Sequence, residues 1–238
     1  LEKDKNILSK RAIIDKGIIS GSKKWYEFQQ IKNDFPFNSK YIVYPDISSS
    51  VNFTFAENIL LDMTCFGIAS NSNSLLGILN SKLIKVYLNT ICVKARGGYL
   101  RLKSQYILKI PIPKNYSNDI FDKIVNDILN LTTELSNVES KFTKYLQSQF
   151  AIEKLTKKLE NWYDLSFGDF MNEINKAIKE RNKERAKNNL QPIKELTKLE
   201  EMDWMDVFET KKAEAQNLKQ QIQTTDKEID AMVYELYG

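Results

Sequence analysis

Histidine is absent from the 238 residues, and no other feature of the chain removes as much chemistry. Ser–His and Cys–His nucleophilic pairs, histidine-ligated zinc and the imidazole base all need it. Cysteine is scarce. Cys65 and Cys92 are too few for a disulfide framework or a Cys-rich zinc site, and they suit a reducing, cytoplasmic setting. No signal peptide is visible, and no apolar run is long enough to span a membrane: Ile59 to Leu61 is cut short by Asp62. There is no glycine-rich phosphate cradle, since Gly97-Gly98 alone is too short, and no Asn-Pro-Pro-Tyr tetrapeptide. Glu209-Thr210-Lys211 fits the short half of a metal-nuclease pattern, but it lies in a heptad helix without a partner acid. Pro45-Asp46 carries no more weight.

Enough apolar residues remain, 42%, to bury the core of one large domain or two small ones. The chain starts at Leu1 and stops at Gly238 inside a helical pattern, and it reads as a piece of a longer protein. Charge is unevenly spread. Residues 1–113 hold 16 Lys and Arg against 8 Asp and Glu, whereas residues 114–238 hold 19 against 23. No acid occurs between Asp62 and Asp119, a stretch that includes Lys82, Lys85, Lys94, Arg96, Arg101, Lys103 and Lys109. A wholly basic stretch within a folded region points to a polyanion-binding face; the bland reading is a solvated surface whose acids come from elsewhere in space.

Pattern divides the chain in the same place. Tyr41-Ile-Val-Tyr44 followed by Pro45-Asp46 predicts a strand and a turn, and Val51 to Phe55 alternates as a second strand. Cys65 to Ala69 is an expected third, and Tyr99 to Leu102 an expected fourth after the Gly97-Gly98 turn. Ile13-Ile14 and Ile18-Ile19 read as a strand or linker pair, and Trp25 to Ile31 as a short helix or strand. Asn73 and Ser74 can cap one helix from Leu75 to about Leu88. Ile110-Pro-Ile-Pro113 is incompatible with regular helix and closes the region.

From Phe121 to Tyr145, and again from Trp204 to Leu236, apolar residues recur at alternating three- and four-residue spacing, which predicts two long helices packed as an antiparallel pair. Between them, residues 151–203 contain Trp162, Tyr163, Phe167 and Phe170, a small packed insert. Its Lys176 to Asn189 stretch is strongly charged and solvent-exposed. The expected fold class is α+β: a small mixed α/β domain over residues 1–113, then a long helical hairpin or coiled coil over 114–238 with a helical insert.

The candidate site lies in the basic half. Lys94, Arg96, Arg101 and Lys103 surround the Gly97-Gly98 turn, with Tyr99 beside it. Side chains alternate along a strand, so Arg101 and Lys103 share a face. Guanidinium groups can chelate guanine edges, ammonium groups can neutralise phosphates, and glycines let backbone come close to a ligand. The bland reading is an ordinary hairpin with a basic wet side. Ser48, Ser49 and Ser50 form a weaker second patch that also suits a plain polar loop. Tyr41, Tyr44, Phe53 and Phe55 alternate as core residues do, not as stacking platforms.

Several segments resemble a known family in their order. They are Tyr41-Ile-Val-Tyr-Pro-Asp-Ile-Ser-Ser-Ser50, Leu75-Leu-Gly-Ile-Leu-Asn-Ser-Lys-Leu83, Gly97-Gly-Tyr-Leu-Arg-Leu102 and Ile110-Pro-Ile-Pro113. Together they resemble the TaqI-like C-terminal specificity domain of N6-adenine DNA methyltransferases, and also the target-recognition domains of type I specificity subunits. Lys158-Leu-Glu-Asn-Trp-Tyr163 and Thr225 to Tyr237 resemble the C-terminal helices of single-chain type IIG restriction–modification enzymes. The resemblance implies a parent protein with nuclease and S-adenosylmethionine-dependent methyltransferase domains upstream, cytoplasmic and off the membrane. This chain would then be catalytically silent, without cofactor or metal of its own; S-adenosylmethionine and Mg2+ would serve the parent. Its implied partner is double-stranded DNA, and its helices would dock the upstream domains. Two other readings stand beside this one: a helical docking or dimerisation module with no DNA contact, and a nuclease built on acids such as Asp46 and Glu57.

Overall fold

Short strands carry the candidate site and long helices carry the mass. The computed structural model describes residues 2–27, 38–194 and 196–238. In chain order come α1 (Lys5–Ser9), α2 (Ala12–Ile19), β1 (Tyr41–Pro45), β2 (Ile47–Ser48), β3 (Thr54–Ala56) and β4 (Cys65–Ile68). They are followed by α3 (Asn73–Asn80), α4 (Lys82–Ile91), β5 (Leu100–Arg101) and α5 (Ser104–Ile107). The helical remainder is α6 (Asp119–Phe150), α7 (Lys157–Glu160), α8 (Phe167–Lys187) and α9 (Lys198–Tyr237). The class is α+β, as expected. Contacts divide the chain into one unit of Leu1–Val43 with Phe55–Asn71, and a second of Tyr44–Thr54 with Ser72–Gly238.

In the first unit, the isoleucine pairs expected as strand or linker form helix α2 instead. Ile14 and Gly17 lie on its buried side three residues apart, and this packing outweighs the β-preference of isoleucine. The Arg11 guanidinium ties α1 to the following turn by donating to the carbonyls of Leu8, Trp25 and Glu27 at 2.8, 2.9 and 2.9 Å. The element expected over Trp25 to Ile31 runs outside the described residues from residue 28 onward. The strand order is β3-β1-β4. Tyr41 is fully buried and its hydroxyl donates to the Ile59 carbonyl.

In the second unit, the single helix expected from Leu75 to Leu88 is two. Ser81 is extended, with φ −63° and ψ 155°, and it separates α3 from α4. Its hydroxyl donates to the Ile78 carbonyl at 2.7 Å and accepts from the Ile84 N–H, which caps α4. The expected strand Val51 to Phe55 shortens to β3 for a related reason. Asn80 takes both backbone groups of Phe53: its Oδ1 accepts from Phe53 N and its Nδ2 donates to Phe53 O, each at 2.9 Å. The α3 cap is Ser72, which accepts from Leu75 N, rather than Asn73 or Ser74. Ser74 is buried and donates to Asp122 on α6 at 2.6 Å.

Helices α6 and α9 run antiparallel. Tyr145 and Phe150 stack on Trp204, Val138 and Lys211 line one groove, and Val125 and Ile128 line another with Asp226 and Ile229. Near the α6 C-terminus the pair opens around an aromatic cluster. Phe170 stacks on Phe208 at 4.5 Å, and Phe142 meets fully buried Trp162 at 4.0 Å. Trp162, Tyr163 and Phe170 belong to this cluster and Phe167 packs against it, together with residues of α6 and α9. The far end of α9 returns to the start of the unit, where Tyr237 Oη donates to the Pro111 carbonyl at 2.6 Å and the Lys82 N–H donates to Asp230 at 2.7 Å.

Candidate nucleic-acid interface

Val93 to Arg101 is a tight hairpin. The Arg101 N–H donates to Val93 O at 3.0 Å, and Lys94 faces Leu100 as an antiparallel bridge. The Ala95 N–H donates to Tyr99 O at 2.7 Å, and the Gly98 N–H donates to Ala95 O at 3.1 Å, closing the turn. Gly97 and Gly98 hold φ of 87° and 81°, a left-handed conformation that other residues adopt only under strain. This backbone is why the turn needs two glycines in succession.

Strand β2 flanks the hairpin on its other side. Ile47 is opposite Arg101 and Ser48 opposite Leu100, and the Leu102 N–H donates to Asp46 O at 2.7 Å. The register puts the serine strand beside the hairpin, but opposed residues share a face, so Ser48 lies on the side of Leu100 and Ile47 on the side of Arg101. Leu100 and Leu102 point inward and are buried. Alternation turns Arg101 and Lys103 the other way. Ser50 accepts from the Asn52 side chain at 2.8 Å and Ser48 accepts weakly from the Ser50 N–H at 3.4 Å, while Ser49 is exposed.

The cations differ in their surroundings. Lys94, Arg96 and Lys103 are exposed and form no ion pair among the described residues. Tyr99 is 47% exposed beside them. Arg101 is half-buried and already faces Asp46, Nη2 to Oδ2 at 3.6 Å. Its Nε and the Asp46 Oδ1 are buried without hydrogen-bond partners. A pair this long keeps Arg101 aligned along the strand and partly cancels its charge. Asp46 also helps hold Tyr44 neutral: burial first, then the carboxylate, push that phenol up to about 12. Tyr44, Tyr41 and Phe53 are buried as expected of core residues, and Phe55 is half-buried under the Lys40 ammonium at 3.8 Å.

Sequence reasoning weighed Asp46 only as a nuclease acid and did not foresee its place against Arg101. It is 55 positions away, and only the β2–β5 register joins the two. Among the described residues no three His, Cys, Asp or Glu side chains gather in one place, and no helix is long and apolar enough to cross a membrane. Glu209 and Lys211 sit on the outside of α9, where Lys211 pairs with Glu214 at 2.7 Å.

Residues 4–112, which include this hairpin, match the TaqI-like C-terminal specificity domain, which bears out the resemblance read from the sequence. That domain type is tied to DNA target recognition in restriction–modification enzymes. Residues 114–233, just over half of the chain, match the family described as a domain of unknown function (DUF8810), and the chain belongs to that family. No curated protein matches the sequence.

Proposed function

We propose that the chain is the sequence-recognition module of a type IIG enzyme, a bifunctional restriction endonuclease and adenine-specific DNA methyltransferase. The observation that carries this is the hairpin: Lys94, Arg96 and Lys103, exposed and free of ion pairs among the described residues, around a glycine turn within a matched specificity domain. In this reading residues 1–113 hold the duplex, and residues 114–238 form a spacer that docks the methyltransferase and nuclease domains of the same cytoplasmic polypeptide. Catalysis, with S-adenosylmethionine and Mg2+, belongs to those domains. Lys94 and Lys103 neutralise phosphates, Arg96 has the forked geometry for phosphate or guanine O6 and N7, and Tyr99 supplies a flat apolar contact. Arg101 supports the hairpin through Asp46, and the Ser48 to Ser50 hydroxyls lie along its flank.

The test is anisotropy of a fluorescent mixed-sequence duplex titrated with the full chain across a salt series. Each phosphate contact contributes about 0.9 to the log–log salt slope. Replacing Lys94, Arg96 and Lys103 together by Ala should therefore flatten the slope by roughly 2 to 3. Binding that ignores salt, or a variant that binds like the parent, sinks the reading. Absence of binding at low salt favours the helical docking module.

A further inference from the structure

The acidic half of the chain contains a basic face that the hairpin does not explain. Helix α8 buries one side, with Phe170, Ile174, Ala177 and Ile178, in the aromatic cluster, so its opposite side is fixed outward. On that outward side stand Lys176, Lys179, Lys183 and Lys187, all exposed. At about 100° per residue they fall within about 80° of one another, and they span about 16 Å of helix. An open trough of about 800 Å³ runs along this face, lined by Lys176, Lys179 and Lys183 with Glu180, Asn172 and Asn182.

A solvated helix face ordinarily mixes signs, and here Glu180 stands among the lysines while Glu173 and Glu184 are engaged with other partners. Glu173 is buried, accepting from the Thr156 hydroxyl at 2.8 Å and facing Lys158 at 3.6 Å. Glu184 holds Arg181 at 2.9 Å, and Arg181 also pairs with Glu153. Glu180 holds Lys183 at 2.7 Å, but both are well exposed, and such a pair contributes little and exchanges readily. Lys176, Lys179 and Lys187 make no ion pair among the described residues.

The helix that carries the row is braced by the loop after it. Asn182 clasps both backbone groups of Ile193, at 2.7 and 2.9 Å, and Arg185 Nε donates to Gln191 O at 2.6 Å. These bonds hold the following loop against the C-terminal half of α8. Ser166 caps its start by accepting from Asp169 N.

We propose that the outer face of α8 is a second contact for the sugar–phosphate backbone of duplex DNA. The inference rests on the reading of the chain as a DNA-binding module. A row of about 16 Å is long enough for its cations to meet several neighbouring phosphates of one backbone. Lysines without a forked partner geometry fit phosphates rather than base edges, so this face adds affinity and fixes the position of the chain without reading sequence.

The experiment uses the full chain and one 30-base-pair mixed-sequence duplex, about 100 Å long. Three variants are compared by anisotropy across salt. The first replaces Lys176, Lys179 and Lys187 by Ala, a good helix former, so α8 is retained; circular dichroism checks the fold. The second replaces Lys94, Arg96 and Lys103 by Ala. The third removes the same charge from exposed Lys123, Lys144 and Lys227 on α6 and α9. The α8 variant should weaken low-salt binding about tenfold or more and flatten the slope by roughly 2 to 3, with the third variant close to the parent. An α8 variant with the parent's slope overturns the proposal, and the hairpin reading survives if the second variant is weakened. Loss in the α8 variant alone upholds the second contact and rejects the hairpin. Equal losses in the first and third variants reduce the effect to net charge and overturn it, as does a parent chain that binds no duplex.

Discussion

Gly97 and Gly98 separate two effects that usually arrive together. Both need a left-handed backbone, so an alanine at either introduces strain of about 1–2 kcal/mol. A Cβ at Gly98 meets nothing within 4 Å, whereas one at Gly97 comes to 3.2 Å from the Tyr99 ring. Gly97→Ala and Gly98→Ala should therefore lower stability alike, and Gly97→Ala alone should displace Tyr99. If Tyr99 touches DNA, Gly97→Ala weakens duplex affinity several-fold more than Gly98→Ala at matched loss of melting temperature. Equal affinities for the two would remove Tyr99 from the contact surface. At this scale the sequence was legible where the information is local. An acid-free stretch marked Lys94, Arg96 and Lys103, and period-two alternation placed Arg101 and Lys103 on one face away from buried Leu100 and Leu102. The partial neutralisation of Arg101 was not legible, because it depends on a strand register between residues half a domain apart.

Between elements, close approach is set by the smallest residue at the crossing. Gly77 on α3 lies against α6, and a Cβ there would stand 2.6 Å from Val125 Cγ2 and 3.2 Å from the Phe121 ring. Both α6 residues are fully buried, so neither has room to move aside. Gly77→Ala should destabilise the chain by about 1–3 kcal/mol through overpacking. Val125→Ala in the same molecule should return part of that loss, because it removes the methyl that clashes. Denaturant melts of the two single variants and the double variant give the coupling, and strictly additive losses would mean that α3 and α6 separate instead of clashing. The Leu75 to Leu83 segment that marked the family resemblance thus has structural duties: Gly77 for approach, Asn80 for the Phe53 backbone and Ser81 for the α4 cap. Long periodic helices were readable because their apolar spacing repeats over many turns. The break at Ser81, the shortening of β3 and the helical state of Ile13 to Ile19 were not. In each case a tertiary partner outweighs the local pattern: a hydroxyl cap, a side-chain amide in place of a neighbouring strand, and burial of Ile14 with Gly17.

Across the whole molecule, the hairpin and the aromatic cluster belong to the same compact unit, although the hairpin ends at Arg101 and the cluster begins at Phe142. The links are identifiable: Ser74 to Asp122, Gly77 against Val125, Lys82 to Asp230 and Tyr237 to Pro111. A unit so joined should open as one. Phe208 is fully buried and stacks on Phe170, so Phe208→Ala leaves a large cavity and should remove about 3–5 kcal/mol. In native-state hydrogen exchange that loss should appear on the order of 100-fold or more as faster exchange, both at cluster amides such as Leu146 and at the Leu102 amide bonded to Asp46 O. Matched acceleration means that the helical half holds β2 and β5 in shape. A Leu102 amide indifferent to Phe208→Ala would mean that β2 and β5 fold and open on their own, with the long helices serving only as a tether.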